Sequence, residues 1–249
     1  MKSINGSSKK QNIDQFDEDA SRQGYYTYRG QQVSATLATK RISRGIAANY
    51  NFTGKRVLDL GCGDGIYTLE MLSLGAAWVH GIDASTAAIS VAKQRLASCG
   101  YEAQSKFEVA DIYNLKAILK GLEFDCIMLW GVLHHLPNPA TALAGMSGIA
   151  SDIIILEPNG MNPVLKVLEK VSPYHIAHGE RSYSPNQLKN WLKAAGFLPK
   201  SSSLINLVPM FCPTWLARIL RFIEPVVERL PGLRTIACGQ VLLIGQSKR

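Results

Sequence analysis

Residues 57–65 read VLDLGCGDG, the strongest structural signal in the chain. A short apolar run enters a turn with three glycines, and a helical pattern follows directly, which predicts a strand, a tight loop and a helix in succession. Glycine suits such a loop because it reaches positive φ without strain and leaves the backbone open to a ligand. We therefore expect Gly61 and Gly63 to lie at a ligand site.

Short apolar runs alternate with helical patterns on both sides of this stretch. Strands are predicted at 56–60, 78–83, 106–110, 124–130 and 152–157, and helices at 65–74, 85–98, 114–121 and 138–149. Ser85 and Ser184-Pro185 are predicted helix starts, and the segments after Gly196 and at 239–245 are predicted strands. Strands that alternate with helices pair in parallel through right-handed crossovers. The expected fold is α/β, with a doubly wound, mostly parallel sheet.

Three aspartates fall where predicted strands end. Asp59 lies two residues before Gly61, Asp83 closes the second strand and Asp111 follows the third. The carboxyl ends of strands in an open α/β sheet line the crevice where ligands bind. A dinucleotide-binding loop would have glycine or alanine where this chain has Ile66. Because an acid at position 59 is also unfavourable beside a pyrophosphate, the pattern favours a ligand that carries positive charge.

Residues 56–157 resemble class I S-adenosylmethionine-dependent methyltransferases. The resemblance includes the fourth-strand segment 124–137, which reads FDCIMLWGVLHHLP. Its VLHHLP part is similar to the small-molecule branch of that family, which includes quinone-biosynthesis methyltransferases. The resemblance implies a seven-stranded, Rossmann-like sheet whose last strand runs antiparallel.

The same resemblance implies how the cofactor S-adenosylmethionine binds. The backbone at the two glycines approaches its methionine part, Asp83 holds the ribose, and Asp111 with Ile112 brackets the adenine. The predicted cofactor-binding residues are Asp59, Gly61, Gly63, Asp83, Asp111, Ile112 and Trp130.

Two residues, His135 and Glu157, are candidates for catalysis. Methyl transfer needs an aligned nucleophile and, where the nucleophile carries a proton, a group that removes it. His134, His135 and Glu157 follow or close the fourth and fifth strands, where such a base must lie. The alternatives are that His135 packs against the cofactor and that Glu157 accepts hydrogen bonds from backbone.

Segments outside the core are expected to cover the site. Residues 1–20 are polar and without periodicity, which predicts a mobile tail, and the pattern at 25–50 predicts a helical lead-in. Residues 158–183 and 211–233 are predicted lids or substrate-facing insertions of a single domain that spans 21–249. An alternative interpretation of the helical part of the second insertion is a helix that lies on a membrane surface.

A polar cluster in the first insertion contains His175, His178, Glu180 and Arg181. Metal binding by its two histidines is one interpretation, but their spacing alone is weak support. The sequence favours a polar pocket wall and predicts no metal site.

The net charge of +8 is unevenly distributed. Residues 158–249 carry 12 basic and 4 acidic side chains, whereas residues 51–157 carry 7 and 11. Such an excess suits an anionic membrane, an acidic substrate or nucleic acid, but no short stretch concentrates five basic residues. DNA is not an expected partner, and peripheral contact with an anionic membrane is an alternative to an ordinary solvated surface.

Cysteine usage and the N-terminal sequence predict a cytoplasmic protein. The five cysteines are scattered without a C-x-x-C pair, a pattern typical of a reducing compartment. No apolar signal-peptide core follows the first residues, and no uncharged run is long enough for a spanning helix.

The predicted function is transfer of a methyl group from S-adenosylmethionine to a small-molecule or lipid-like acceptor. Methylation of a nucleic-acid base amino group is disfavoured because the segment after the fourth strand lacks a Pro-Pro-aromatic motif. An RNA- or protein-modifying methyltransferase and a non-catalytic S-adenosylmethionine-binding protein are the alternatives.

Overall fold

The computed structural model describes residues 32–177 and 179–248. The predicted tail at 1–20, the part of the predicted lead-in before residue 32, and His178 lie outside these residues. The described part of the lead-in forms one helix, α1 (Val33–Asn49), whose buried side includes Ala38, Ile42 and Ile46.

Helices and strands alternate along the rest of the described chain. The strands are β1 (Arg56–Leu60), β2 (Trp78–Asp83), β3 (Ser105–Val109), β4 (Phe124–Trp130), β5 (Ala150–Pro158), β6 (Phe197–Ile205) and β7 (Gln240–Ser247). The helices after α1 are α2 (Ile66–Ser73), α3 (Thr86–Ser98), α4 (Leu115–Ile118), α5 (Pro139–Gly145), α6 (Pro163–Val171), α7 (Pro173–Ala177), α8 (Pro185–Ala194), α9 (Thr214–Arg229) and α10 (Pro231–Ala237).

The seven strands form one sheet in the order β3-β2-β1-β4-β5-β7-β6. The first five pair in parallel, whereas β7 runs antiparallel to both β5 and β6. The expected doubly wound sheet with an antiparallel last strand is therefore confirmed. The strand order reverses between β1 and β4, and the crevice at such a reversal is where open α/β sheets bind ligands.

The observed strand bounds agree closely with those predicted from the periodicity. The larger differences between prediction and structure concern two helices. The helix expected at 114–121 is a single turn, α4, preceded by the 3-10 turn Ile112–Asn114. The helix expected at 138–149 stops at Gly145. Gly121 and Gly148, both at φ +79°, redirect the chain soon after these helices, because glycine takes left-handed backbone without strain.

The two predicted helix starts are confirmed. The Ser85 hydroxyl accepts a hydrogen bond from the backbone N–H of Ala88 at 3.0 Å, and the Ser184 hydroxyl accepts one from Gln187 at 3.2 Å. Such caps satisfy N–H groups that have no partner within the helix and contribute about 1 kcal/mol each.

Alternating residues of the central strands pack into two apolar layers, one on each face of the sheet. Leu58, Ile127 and Ile155 belong to one layer, and their neighbours Val57 and Met128 belong to the other. Each side chain is fully buried, which stabilises the fold by about 1.5–3 kcal/mol per large residue. This double burial holds the strand ends rigidly in place.

The helix of the second insertion, α9, packs against α1 and supports the loop before it. Arg41 of α1 donates from Nε to Glu228 of α9 at 2.9 Å. The carboxylates of Glu228 and Glu224 accept backbone N–H groups of Asn206 and Leu207 at 2.9 and 2.8 Å. These bonds fix the loop at 206–211.

In the part of the chain that the structure describes, the longest apolar helical segments fall short of what is needed to cross a bilayer.

Candidate active site

A cavity of about 550 Å³ opens at the carboxyl ends of the strands. This volume is in the usual range for small-molecule sites. Six of the seven residues predicted to bind the cofactor line it, namely Gly61, Gly63, Asp83, Asp111, Ile112 and Trp130.

The turn after β1 leaves its backbone exposed to this cavity. Gly61 and Gly63 have φ of +69° and +53°, and the Gly61 N–H donates to the carbonyl of Ile82 at 2.7 Å. A Cβ atom added at Gly61 would lie 2.7 Å from Cγ2 of Val132. Both the backbone conformation and this close approach require glycine at position 61.

Asp83, at the end of β2, is held by backbone on both sides. Its Oδ2 accepts the N–H of Gly63 and its Oδ1 accepts that of Ser85, each at 2.9 Å. These two bonds orient the Asp83 carboxylate at the cavity wall. Asp111 is oriented in a similar way by the N–H of Tyr113 at 3.1 Å.

Asp59 is the predicted cofactor residue that lies off the cavity wall. Its side chain is buried beneath the turn, where Oδ2 accepts a hydrogen bond of 2.6 Å from the hydroxyl of Thr68 on α2. Asp59 thus ties β1 to the helix after the glycine turn. The buried position of Asp59 does not favour the predicted direct contact with a cationic ligand.

An aromatic pair forms part of the wall, and one of its members, Tyr67, was not predicted from the sequence. Tyr67, in the first turn of α2, stacks on Trp130 with ring centroids 3.5 Å apart and an angle of 13° between the rings. Both residues line the cavity. The only signal in the sequence was an aromatic residue shortly after the glycines, which by itself does not indicate a partner on β4.

Glu157 closes β5 but does not line the cavity. It is fully buried, and its Oε1 accepts the N–H groups of Val132 and Leu133 at 2.9 and 2.7 Å. Its Oε2 accepts the N–H of His134 at 3.2 Å and contacts Nδ1 of the same residue at 2.7 Å. Because these donors already surround the carboxylate, the geometry supports backbone binding by Glu157 and not the candidate role as a proton acceptor.

His134 and His135 both line the cavity, with ring centroids 3.9 Å apart. Burial lowers the pKa of His134, but the negative charges of Glu157, Glu180 and Glu169 outweigh that effect and leave its pKa above the usual value. The loop after β4 therefore presents an imidazole pair beside a negatively charged region.

The rest of the wall comes from the first insertion and from the loop before α9. Its polar members include His175, Glu180 and Arg181 of the predicted polar cluster. Its apolar members include Val164, Leu165, Leu168, Leu207, Val208, Pro209, Met210 and Phe211. Residues of the first insertion therefore form part of the cavity wall. Phe211 is the one residue of the second insertion that lines the cavity. Helix α9 instead packs behind the loop at 206–211, which forms this part of the wall.

The wall residues fit an S-adenosyl cofactor at the strand ends. Gly61 is exposed at the cavity wall, and the carboxylates of Asp83 and Asp111 supply acceptors for hydroxyl and amino groups. Charge on these acids also suits a cationic ligand.

Comparison with known proteins agrees with this geometry. A sequence model of the family described as "Methyltransferase domain" matches residues 51–196, more than half of the chain. The chain is 29% identical over 155 residues to the ubiquinone biosynthesis O-methyltransferase of Glaesserella parasuis, covering 58% of this chain and 65% of that protein. It thus spans slightly less than two thirds of the length of this relative. The corresponding protein of Burkholderia thailandensis is 31% identical over 167 residues, covering 61% and 68%.

The fold is similar to that of solved methyltransferases. Magnesium protoporphyrin IX methyltransferase from Synechocystis PCC 6803, solved with bound SAH, superposes with a TM-score of 0.67 at 18% identity, covering 96% of this chain and all of that one. At this identity the likeness concerns the fold. With the family match and the strand-end site together, the chain belongs to the class I S-adenosylmethionine-dependent methyltransferases, in their small-molecule branch.

Proposed function

We propose that this protein transfers the methyl group of S-adenosylmethionine to a hydroxyl of a small, largely apolar or lipid-like acceptor. The observation that carries the proposal is the composition of one cavity wall, which combines the predicted cofactor residues, an imidazole pair and a set of apolar side chains. When bound, S-adenosylmethionine supplies an electrophilic methyl group.

The chain's own residues orient the reactants. Asp83 and Asp111 hold the nucleoside part, while the backbone at Gly61 and Gly63 lies against the methionine part. Asp59 acts indirectly, since its bond to Thr68 keeps the turn in place. Holding two reactants in line in this way removes much of the entropic cost of a reaction between two molecules.

We assign activation of the acceptor hydroxyl to His135, which lines the cavity and is only partly buried. In the simplest form of this activation, a ring nitrogen accepts the hydroxyl proton as the oxygen takes the methyl group. Glu157 contributes as a positioning residue, because it holds the backbone and ring of the neighbouring His134.

The size of the cavity and the matching relatives support a small acceptor. A volume of about 550 Å³ is typical of small-molecule sites. The named function of the relatives, O-methylation in ubiquinone biosynthesis, supports an oxygen nucleophile on an apolar molecule.

An exposed apolar surface supports peripheral contact with an anionic membrane. Trp215, Ile219, Phe222 and Val226 of α9 follow one another at helical spacing and are all exposed. A second exposed stripe, Val164, Val167 and Val171, lies on α6. Basic residues Arg218, Arg229 and Arg234 accompany the first stripe, and this combination is typical of helices that lie in a membrane surface.

The stripe on α6 is linked to α10 and to the cavity. Asn162 caps α6 through Val164 N–H at 2.9 Å and donates from Nδ2 to the carbonyl of Ala237 in α10 at 3.2 Å. Val164 itself lines the cavity. We propose that a lipid-soluble acceptor enters at this junction.

We further propose a cytoplasmic location for the protein. All five cysteines are free, and three of them are buried. Unpaired thiols of this kind are typical of a reducing compartment.

A screen with radiolabelled S-adenosylmethionine tests the acceptor class. The panel consists of phenols, catechols and quinol precursors, sugars, lipid extract, RNA and protein, with the Asp83→Ala variant as the control for background label. We expect label in a phenolic or lipid-like molecule. Label confined to RNA or protein would contradict the proposal, and binding of the cofactor without transfer to any arm would favour a non-catalytic role.

A further inference from the structure

Asn206, directly after β6, has an unusual backbone conformation at the cavity wall. Its φ of +67° makes it the one non-glycine residue with positive φ among those that the structure describes. Side chains rarely occur on left-handed backbone because Cβ comes too close to it, although asparagine tolerates this better than most residues. Asn206 also lines the cavity and is only 4% exposed. Backbone strain that persists at a cavity wall is a feature of ligand sites.

The surrounding structure fixes this conformation. Glu228 accepts the N–H of Asn206 at 2.9 Å, and the carbonyl of Asn206 accepts the N–H of Gly239 at 2.7 Å. Further along the same loop, the hydroxyl of Ser34 on α1 donates to the carbonyl of Met210 at 2.7 Å. The backbone groups of Asn206 are therefore engaged, and its side-chain amide is the polar group that remains for a ligand.

The amide of Asn206 differs from those of two other buried asparagines, Asn159 and Asn162, which follow β5. Nδ2 of Asn159 donates to the carbonyls of Thr235 and Cys238, each at 2.9 Å, and its Oδ1 accepts a backbone N–H at 3.0 Å. Both ends of the Asn162 amide are bonded to backbone as well. Within residues 32–177 and 179–248, by contrast, Oδ1 of Asn206 has no hydrogen-bond partner. Because an unpaired buried amide is costly, a ligand that supplies a donor would remove a penalty.

Asn206 lies on the side of the cavity away from the cofactor residues. Ile205 pairs with Gln240 at the start of β7, and Gln240 pairs with Pro158 at the end of β5. The predicted cofactor residues on the wall end or follow β1 to β4, and β6 is three strands beyond β4. At about 4.8 Å per strand, this separation is about 14 Å along the sheet edge. An acceptor that reacts beside the loop after β4 can therefore meet Asn206 only with its far end.

The charges behind Asn206 are paired with one another. Arg41 donates to Glu228 from Nε at 2.9 Å, and Arg221 donates to the buried Glu224. A neutral amide in front of two ion pairs suits an uncharged group. A hydroxyl both donates and accepts hydrogen bonds, so it can satisfy either end of the amide.

We propose that Asn206 is a specificity-determining residue that binds a second hydroxyl of the acceptor, at the end away from the hydroxyl that is methylated. Rotation about χ2 is soft in asparagine, so either end of its amide can turn toward the cavity. The acceptor is then an elongated, mostly apolar molecule with a hydroxyl at each end. This inference rests on the proposed function and adds the group by which the acceptor is selected. An analogue without the second hydroxyl would leave the amide unpaired and bind less well.

Two probes that differ by one hydroxyl, p,p′-biphenol and p-phenylphenol, test this role. Their binding is measured calorimetrically on the full chain saturated with the demethylated product of the cofactor. The wild type should bind the biphenol at least about fivefold more tightly, as expected for one additional hydrogen bond. Asn206→Gly removes the amide and also the backbone strain. It should reduce the preference to about twofold, which is the advantage that two equivalent orientations give a symmetric molecule.

Two controls accompany this measurement. Asn206→Gly should bind the demethylated product as the wild type does, which shows that the cofactor half of the site is intact. Asn51→Gly makes the same chemical change at an exposed position outside the cavity and should keep the wild-type preference for the biphenol.

The outcomes separate this inference from the function on which it rests. If the wild type binds neither probe, or shows no preference, or if Asn206→Gly keeps the full preference, Asn206 does not select the acceptor. Methyl transfer to both probes with equal kcat/KM would also overturn the inference while the proposed function stands. A preference that depends on Asn206, without transfer to any acceptor of the screen, would support the inferred contact while the proposed function fails.

Discussion

Nδ1 of His134 and Oε2 of Glu157 lie 2.7 Å apart in the interior, between the loop after β4 and the end of β5. The same carboxylate accepts three backbone N–H groups from that loop, and a carboxylate surrounded by such donors is the acceptor in its bond to the ring. Glu157 thus holds the ring of His134 and the backbone of the loop that continues into His135.

Replacing Glu157 by glutamine should destabilise the fold. The amide keeps the size but exchanges one acceptor for a donor that faces N–H groups, and breaking a buried charged contact of this kind costs about 3–5 kcal/mol. Urea denaturation should show that decrease in the free energy of unfolding. Glu108→Gln is the control, because its carboxylate is partly exposed beside Lys106 and should contribute less than about 1 kcal/mol. Equal effects of the two changes would show that Glu157 has no special structural role.

Asp83→Ala should weaken cofactor binding by at least tenfold without unfolding the protein. Each charge-assisted hydrogen bond to a ribose hydroxyl contributes roughly 1.5–3 kcal/mol. Calorimetric titration with S-adenosylmethionine and its demethylated product measures the change. Glu102→Ala, an exposed acid outside the cavity, should bind as the wild type does. An unchanged dissociation constant for Asp83→Ala would mean that this carboxylate does not hold the ribose.

Gly61→Ala should damage both stability and cofactor binding. Gly121→Ala is a matched control, because Gly121 also has positive φ but nothing lies within 4 Å of an added Cβ atom. Both variants carry backbone strain of about 1–2 kcal/mol. Only Gly61→Ala also displaces Val132, which should add about 1–3 kcal/mol to the loss of unfolding free energy. If the two variants lose equal stability, the close contact at Gly61 is not a constraint.

His135→Ala should lower turnover by about 10²–10⁴-fold, the usual contribution of proton removal. Cofactor affinity should change little, because Asp83 and Asp111 are untouched. Steady-state transfer to the acceptor found in the screen and calorimetry with the cofactor measure the two quantities separately. A loss of cofactor binding would instead make His135 a packing residue of the cofactor pocket.

Phe222→Ser should reduce binding to anionic vesicles. Phe222 is 86% exposed on α9, so its loss removes apolar surface from the membrane without creating a cavity in the core. Wild-type protein should co-sediment with phosphatidylglycerol vesicles but not with phosphatidylcholine vesicles, and about 0.5 M salt should release it by screening. Leu198→Ser, at an exposed apolar position on β6, should bind normally. If the wild type does not bind vesicles at low salt, the acceptor must reach the active site from aqueous solution and not from a membrane.

Local patterns in the sequence determined the sheet and the position of the site. The periodicity of short segments predicted β1, β2 and β4 within their observed bounds, because buried parallel strands are short continuous apolar runs. Right-handed crossovers then bring successive strand ends to one edge of the sheet. For this reason the sequence alone predicted that Asp83 and Asp111 lie at the ligand site, although it carries no information about their side-chain contacts.

Only the tertiary structure decided which predicted residues face the cavity and what they contact. Asp59 lies in the same motif as Gly61 but turns toward Thr68, and Glu157 reaches a loop 23 to 25 residues earlier in the chain. Tyr67 stacks on Trp130 of β4, and Glu180 meets the two histidines from a distant insertion. Such contacts depend on how separate elements pack against each other, and the periodicity of each element by itself carries no information about its partners.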